Sequence, residues 1–126
     1  MENSVVISIG SNIKPSHNIT KALDLLSGRV MITARAPHLV TKPIGITDQP
    51  DFVNTMVRVI TDLAMPELKV FLREVENRVG RDRSRPKFGP REVDLDVLEW
   101  NGAIVDDDYY ERPFLQKLYS ELVEGA

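Results

Sequence analysis

The most restrictive stretch of this chain is REVDLDVLEW, residues 91–100. Val93, Leu95 and Val97 alternate there with Asp94 and Asp96. Period-two alternation marks a strand with one buried face. Side chains along a strand alternate faces, so the two aspartates point the same way, with their backbones roughly 6.5–7 Å apart. Asp is disfavoured in strands, and two like charges this close repel unless water or a cation lies between them. A fold that accepts this strand must bury one side of a sheet. On the other side it must leave these acids as solvated surface or as a divalent-metal site.

The remaining periodicities build such a sheet. Residues 4–10, SVVISIG, are a β-branched strand. Ile19, Ala22, Leu23 and Leu26 form one face of a helix opened by Pro15 and closed by Gly28. Residues 29–36 alternate again as a second strand, with a continuation to Val40 left open, and 52–61, FVNTMVRVIT, are a third. A second helix covers about 66–79, with Leu68, Phe71, Leu72, Val75 and Val79 on its stripe and Gly80 at its end. After the Asp-bearing strand, Asn101-Gly102 signals a tight hairpin and AIVD returns as an added short strand. From about 109 the tail reads as a helix carrying Leu115, Leu118 and Leu122. The order β-α-β-β-α-β predicts an α+β, ferredoxin-like sandwich. It has an antiparallel sheet, an added C-terminal hairpin strand, and helices on one face, leaving the other face free for a ligand. At 126 residues, one domain spanning 1–126 is expected.

Composition excludes several classes. No apolar run approaches the roughly 20 residues that span a bilayer. The start, MENSVVISIG, lacks the pattern of an export signal, so a cytoplasmic protein without a membrane partner is expected. There are no cysteines, hence no disulfides and no thiolate metal sites. The net charge of -3 does not suggest nucleic acid. The charge is uneven, however. Residues 78–91 carry Arg78, Arg81, Arg83, Arg85, Lys87 and Arg91 against Asp82 alone, and they run straight into the paired acids.

Hard cations such as Mg²⁺ take one or two carboxylates plus substrate phosphates, and guanidinium forks match phosphate oxygens. Asp94 and Asp96 beside Arg81, Arg83 and Arg91 are therefore the equipment of phosphoryl-type transfer. Taken alone, the arginines also fit a solvated basic loop. Phe52 and Asn54 share a face of the third strand, which suits a flat heteroaromatic ring or a core Phe beside a strand-end Asn. Glu76 borders the second helix's apolar stripe, and Phe88 stands in a Gly- and Pro-containing loop as an exposed or lid aromatic. His17, His38 and Ser11 lack any partner pattern.

Four segments then occur in order and spacing: GSN at 10–12, KPIGITDQPDFVN at 42–54, Glu76 followed by Gly80-Arg81-x-Arg83, and FGPREVDLD at 88–96. Together they resemble the 6-hydroxymethyl-7,8-dihydropterin pyrophosphokinase family of folate biosynthesis, over about residues 4–105. The resemblance implies transfer of pyrophosphate from ATP to the pterin hydroxymethyl group, giving AMP. It implies two Mg²⁺ ions on Asp94 and Asp96, with Arg81 and Arg91 on the phosphates. Arg83 and Phe88 would belong to a mobile lid. Thr41, Lys42, Ile44, Phe52 and Asn54 would form the pterin pocket, and Glu76 would sit near the metals or the substrate hydroxyl. Partners would be ATP and the hydroxymethyldihydropterin, with no nucleic acid, on a monomer or weak homo-oligomer. The tail departs from the pattern. Phe114 follows Pro113 where the family has His, and an ungapped reading puts Ser120 and Leu122 where it has an Arg and an aromatic. Phe114 or Tyr119 are candidates for that aromatic. The competing readings are a catalytically weak pterin- or nucleotide-binding relative and a ferredoxin-like RNA-binding module.

Overall fold

A computed structural model describes residues 2–124. The chain runs β1 (Asn3–Ser11), α1 (Pro15–Ser27), β2 (Met31–Arg35), β3 (Leu39–Thr41), β4 (Phe52–Thr61), α2 (Met65–Val79), β5 (Asp94–Trp100), β6 (Ala103–Ile104), α3 (Asp108–Glu111) and α4 (Pro113–Glu124). The strands form one six-stranded sheet in the order β2-β4-β1-β5-β6, with β3 pairing the other half of β4's outer edge. Every pairing is antiparallel. The expected second strand is thus two short ones, interrupted at Ala36-Pro37-His38, because Pro37 has no N–H for a ladder. Among the described residues no helix is long and apolar enough to cross a membrane.

Local chemistry explains the helix ends. Pro15 occupies the first turn of α1, where its missing N–H costs nothing. At α2 the Glu67 carboxylate accepts from the Ala64 backbone N–H at 3.1 Å. The helix stops at Gly80, whose φ of +113° is open to glycine at little cost.

Two cores hold the sheet. Val5, Ile7 and Ile9 of β1, Val57 and Val59 of β4, and Leu95 and Val97 of β5 pack under α1 and α2. The second core overturns the expectation of a free face. Val6, Met56 and Leu98 project from the opposite side and are covered by Leu115, Leu118 and Leu122 of α4. A bulge interrupts the pairing on this face: Ile7 pairs with Val97, but Val6 pairs with Glu99, so Leu98 is the extra residue. Leu98 shares the face of Asp94 and Asp96 by plain alternation; the bulge turns Glu99 to that α4 side as well and sends Trp100 to the α1–α2 side. Leu118 is fully buried in that core. Leu118→Ala should cost about 3 kcal/mol, read as a lower urea midpoint at unchanged slope. A loss below about 1 kcal/mol would show that α4 does not pack as described.

Candidate active site

α4 covers only part of its face. Beyond its N-terminal end the sheet is bare, and a cavity of about 710 Å³ opens over β1, β4 and β5, walled by α2 and by the loops 41–51 and 81–91. Asp94 and Asp96 stand on its floor, and Phe52, Asn54 and Thr41 lie on the β3–β4 side. Arg81, Arg91, Glu76, Lys42, Ile44 and Phe88 line it as well, leaving Arg83 as the one residue expected from sequence that does not.

How the two acids tolerate one another is visible in the bonds. Arg81 Nη1 lies 2.8 Å from one Asp94 oxygen and Arg91 Nη1 2.8 Å from the other. Both Asp94 oxygens are thus answered by guanidinium. Asp96 forms no ion pair among the described residues. Desolvation on the cavity floor is the first cause that raises its carboxyl, followed by the charges of Asp94, Asp106 and Glu76, to about 7. The solvent-accessible surface of Asp96 is large, yet protein atoms surround it on the concave floor, and both facts bear on its energy.

The sign of the resulting pH effect follows. A carboxyl raised in the folded state adds stability below its unfolded value of about 4, and that stability is lost as pH rises through about 7. With chelator present, Asp96→Asn should therefore melt higher than wild type at pH 8, by about 1 kcal/mol once solvent screening is allowed for, and level with it near pH 4. Equal melting at both pH values would show that the floor is not electrostatically strained.

Glu76 lies at the cavity wall, close enough for its charge to act on Asp96. It is buried, and its carboxylate turns to arginines: Arg81 at 3.3 Å and Arg83 at 2.7 Å. It also accepts the Leu95 N–H at 2.8 Å. Glu76 thus fixes the start of β5 and the arginine that holds Asp94. Arg83, expected in the lid, does not line the cavity; it lies on Glu76 and donates to Asn77 at 3.2 Å.

On the other side Asn54 Nδ2 donates to Thr41 Oγ1 at 2.6 Å. Gly10 makes room for this amide, since a Cβ there would stand 2.9 Å from Asn54 Oδ1. Phe52 faces the same space. The two long loops are tied together. Asn12 Nδ2 donates to Gln49 Oε1 at 2.8 Å, and its Oδ1 accepts from Arg91 N at 2.8 Å. Gln49 Nε2 donates to Phe88 O at 2.6 Å. Phe88 itself is held at φ +66°, its ring against Gly45.

Sequence reasoning missed several lining residues: Arg112, at the entry to α4, reaches the cavity, as do Asp106, Asp107 and Asp108. Phe114, one of the two candidate aromatics, also lines it. Burial raises the Asp106 carboxyl above its usual range. The local signal for Arg112 is the ERPF run at 111–114, next to Phe114; the ungapped reading looked for an arginine at Ser120. Tyr119, the other candidate aromatic, does not line the cavity and bonds Glu99 instead.

The donor set suits a hard divalent cation only with help from substrate. Among the described residues no cluster of three or more His, Asp or Glu side chains forms a ready cage. Two carboxylate side chains facing an open, arginine-lined space are what Mg²⁺ uses when phosphates supply its remaining ligands.

Comparison with known proteins agrees with this chemistry. The family model described as 7,8-dihydro-6-hydroxymethylpterin-pyrophosphokinase matches residues 6–124. A 2-amino-4-hydroxy-6-hydroxymethyldihydropteridine pyrophosphokinase of Bacillus subtilis is 30% identical over 135 residues, covering 98% of this chain and 80% of that protein. Its Haemophilus influenzae namesake is 34% identical over 106 residues, covering 81% of this chain and 65% of that one. A folate synthesis bifunctional protein of Arabidopsis thaliana is 33% identical over 121 residues, 88% of this chain but 25% of the longer protein. The chain thus spans about a quarter of that bifunctional relative. With the family match running from β1 to the end of α4, the chain belongs to the 7,8-dihydro-6-hydroxymethylpterin-pyrophosphokinase family.

Proposed function

We propose that this protein transfers the terminal pyrophosphate of ATP to the hydroxymethyl oxygen of 6-hydroxymethyl-7,8-dihydropterin, in folate biosynthesis. The pterin oxygen attacks the β-phosphorus, the bond from that phosphorus to the oxygen on the α-phosphate breaks, AMP leaves, and the hydroxyl proton passes to solvent. The observation that carries this reading is the meeting, in one cavity, of the Asp94–Asp96 floor with two arginines and the Phe52–Asn54–Thr41 wall. The strand order β2-β4-β1-β5, with both long helices over one face, supports a ferredoxin-like assignment.

Two Mg²⁺ ions, held by Asp94 and Asp96 together with the triphosphate, would neutralise charge on the phosphates. Arg81 and Arg91, which pair with Asp94 here, would turn their guanidinium groups to the phosphate oxygens, where negative charge develops. Phe52 offers its ring to the pterin, and Asn54, oriented by Thr41, offers amide valences to the ring's polar edge. Lys42 and Ile44 flank that pocket. Arg112 and Phe114 supply the arginine and the aromatic that an ungapped reading sought at Ser120 and Leu122. Phe88 and the loops 41–51 and 81–91 exclude water, which would compete as acceptor. We read the protein as cytoplasmic and as a monomer or weak homo-oligomer.

The test is AMP formation from ATP and the hydroxymethyldihydropterin with and without Mg²⁺, with the pterin product followed in parallel. Equal amounts of AMP and pyrophosphorylated pterin, lost with chelator, are expected. Folded protein that binds either substrate yet releases no AMP would instead identify a binding relative.

A further inference from the structure

Glu99 is a charged group that the proposed reaction does not use. It is buried, does not line the cavity, and lies beneath α4 on the far side of the Leu98 bulge. A buried carboxylate is costly unless it is paired and its oxygens are bonded. Both oxygens of Glu99 are answered. Arg58 Nη1 stands 3.0 Å from Oε1, and the Tyr119 hydroxyl donates to Oε2. Arg58 and Glu99 both pair with Val6, so the ion pair straddles β1. Arg58 Nη1 also donates to Ser4 Oγ at 3.1 Å. Beside the carboxylate, the Tyr119 phenol is held above its ordinary value of 10, so it stays a donor.

From Tyr119 the ties continue toward the cavity. Its ring meets the edge of Tyr109 at 5.6 Å between centroids. The Tyr109 carbonyl accepts from Gln116 Nε2 at 2.9 Å, and the neighbouring Asp108 carbonyl accepts the Arg112 N–H at 2.9 Å. Asp108, Arg112 and Phe114 line the cavity. The apolar contacts of Leu115, Leu118 and Leu122 attach α4 to the sheet but are non-directional, so a small slide or roll costs them little. A hydrogen bond to a fixed, buried carboxylate is directional and sets one register.

We propose that the Glu99–Tyr119 bond, braced by Arg58, is a positioning device. It fixes the register of α4 on the sheet and thereby places Arg112 and Phe114 at the substrate cavity. The role of those two residues rests on the function proposed above. Tyr119 and Glu99 act through them and touch no substrate.

Tyr119→Phe keeps the ring and its packing and removes only the donor. It should raise the KM for ATP or the pterin about tenfold with a much smaller change in kcat, the scale of one hydrogen bond to a charged group. Amide exchange in residues 108–118 of the ligand-free protein should speed up while β1 and β4 stay protected. Glu99→Gln, which keeps an acceptor for the phenol, should fall between wild type and Tyr119→Phe. Leu26→Ala, in the core beneath the other face, should lower the melting temperature and leave KM unchanged. Unchanged KM and unchanged exchange at 108–118 in Tyr119→Phe would overturn the proposal. If wild type forms no AMP, the proposed function fails by itself; exchange at 108–118 still decides whether the bond sets the helix, and unchanged exchange overturns it.

Discussion

Asp96→Ala should lower AMP release by about a thousandfold, the loss expected when several kcal/mol of charge stabilisation leave the transition state. The protein should remain folded, because the substitution removes a carboxyl whose charged form the cavity floor already disfavours. Asp94→Ala should give a comparable loss of turnover with a different structural signature. It releases Arg81 and Arg91, which now each hold one Asp94 oxygen at 2.8 Å. The two variants thus separate the roles of the pair: Asp96 stands without an ion-pair partner among the described residues, whereas Asp94 also organises the arginines. Single-turnover AMP formation and circular dichroism on the same samples make the measurement. Folded Asp96→Ala retaining more than about a tenth of wild-type turnover would remove the aspartate pair from the mechanism, since one lost phosphate-side carboxylate should cost far more.

The layout of α1, α2 and the three long strands was legible because each has a clean periodicity. Leu68, Leu72, Val75 and Val79 can only be one helical stripe, and β1 and β4 carry β-branched runs bounded by polar turns. The aspartate pair and the basic loop were legible as chemistry, since their composition conflicts with their neighbours. What was hidden needed partners distant in sequence. Leu115, Leu118 and Leu122 were visible as a stripe, but nothing local tells that Val6 and Met56 receive it from the second face of the sheet. The bulge at Leu98 is a pairing event between β1 and β5 and leaves no mark in either strand alone. Glu76 and Glu99 look like solvated glutamates until Arg81 and Arg83, and Arg58 and Tyr119, are brought to them. Arg112 was hidden for another reason: an ungapped reading looks at Ser120, and nothing local tells that the turn before α4 brings Arg112 to the cavity wall.

The second large effect should be on stability. Glu76→Ala is expected to cost about 3–5 kcal/mol, because it leaves two guanidinium groups and a backbone donor without the acceptor that gathers them. The side chain is 2% exposed, Arg81 is 15% exposed, and the Leu95 N–H it accepts opens the strand that carries both aspartates. Water cannot readily replace a carboxylate at that depth. Arg83, at 36% exposed, can turn outward to solvent, so its share of the loss is small. The deeper cost lies with Arg81 and Leu95. Glu76→Gln keeps one acceptor for the Leu95 N–H and should recover about half of the loss. Urea unfolding of the three proteins at pH 7 measures this. The Gln variant should also show a raised KM for ATP, since Arg81 then keeps only Asp94 as a charged partner, beside the Val93 carbonyl at 3.5 Å, and Asp94 is the group that must release it. A Glu76→Ala midpoint within about 1 kcal/mol of wild type would mean that Arg81 is held by Asp94 and the Val93 carbonyl without help. The buried glutamate would then be dispensable to the strand on which the aspartates stand.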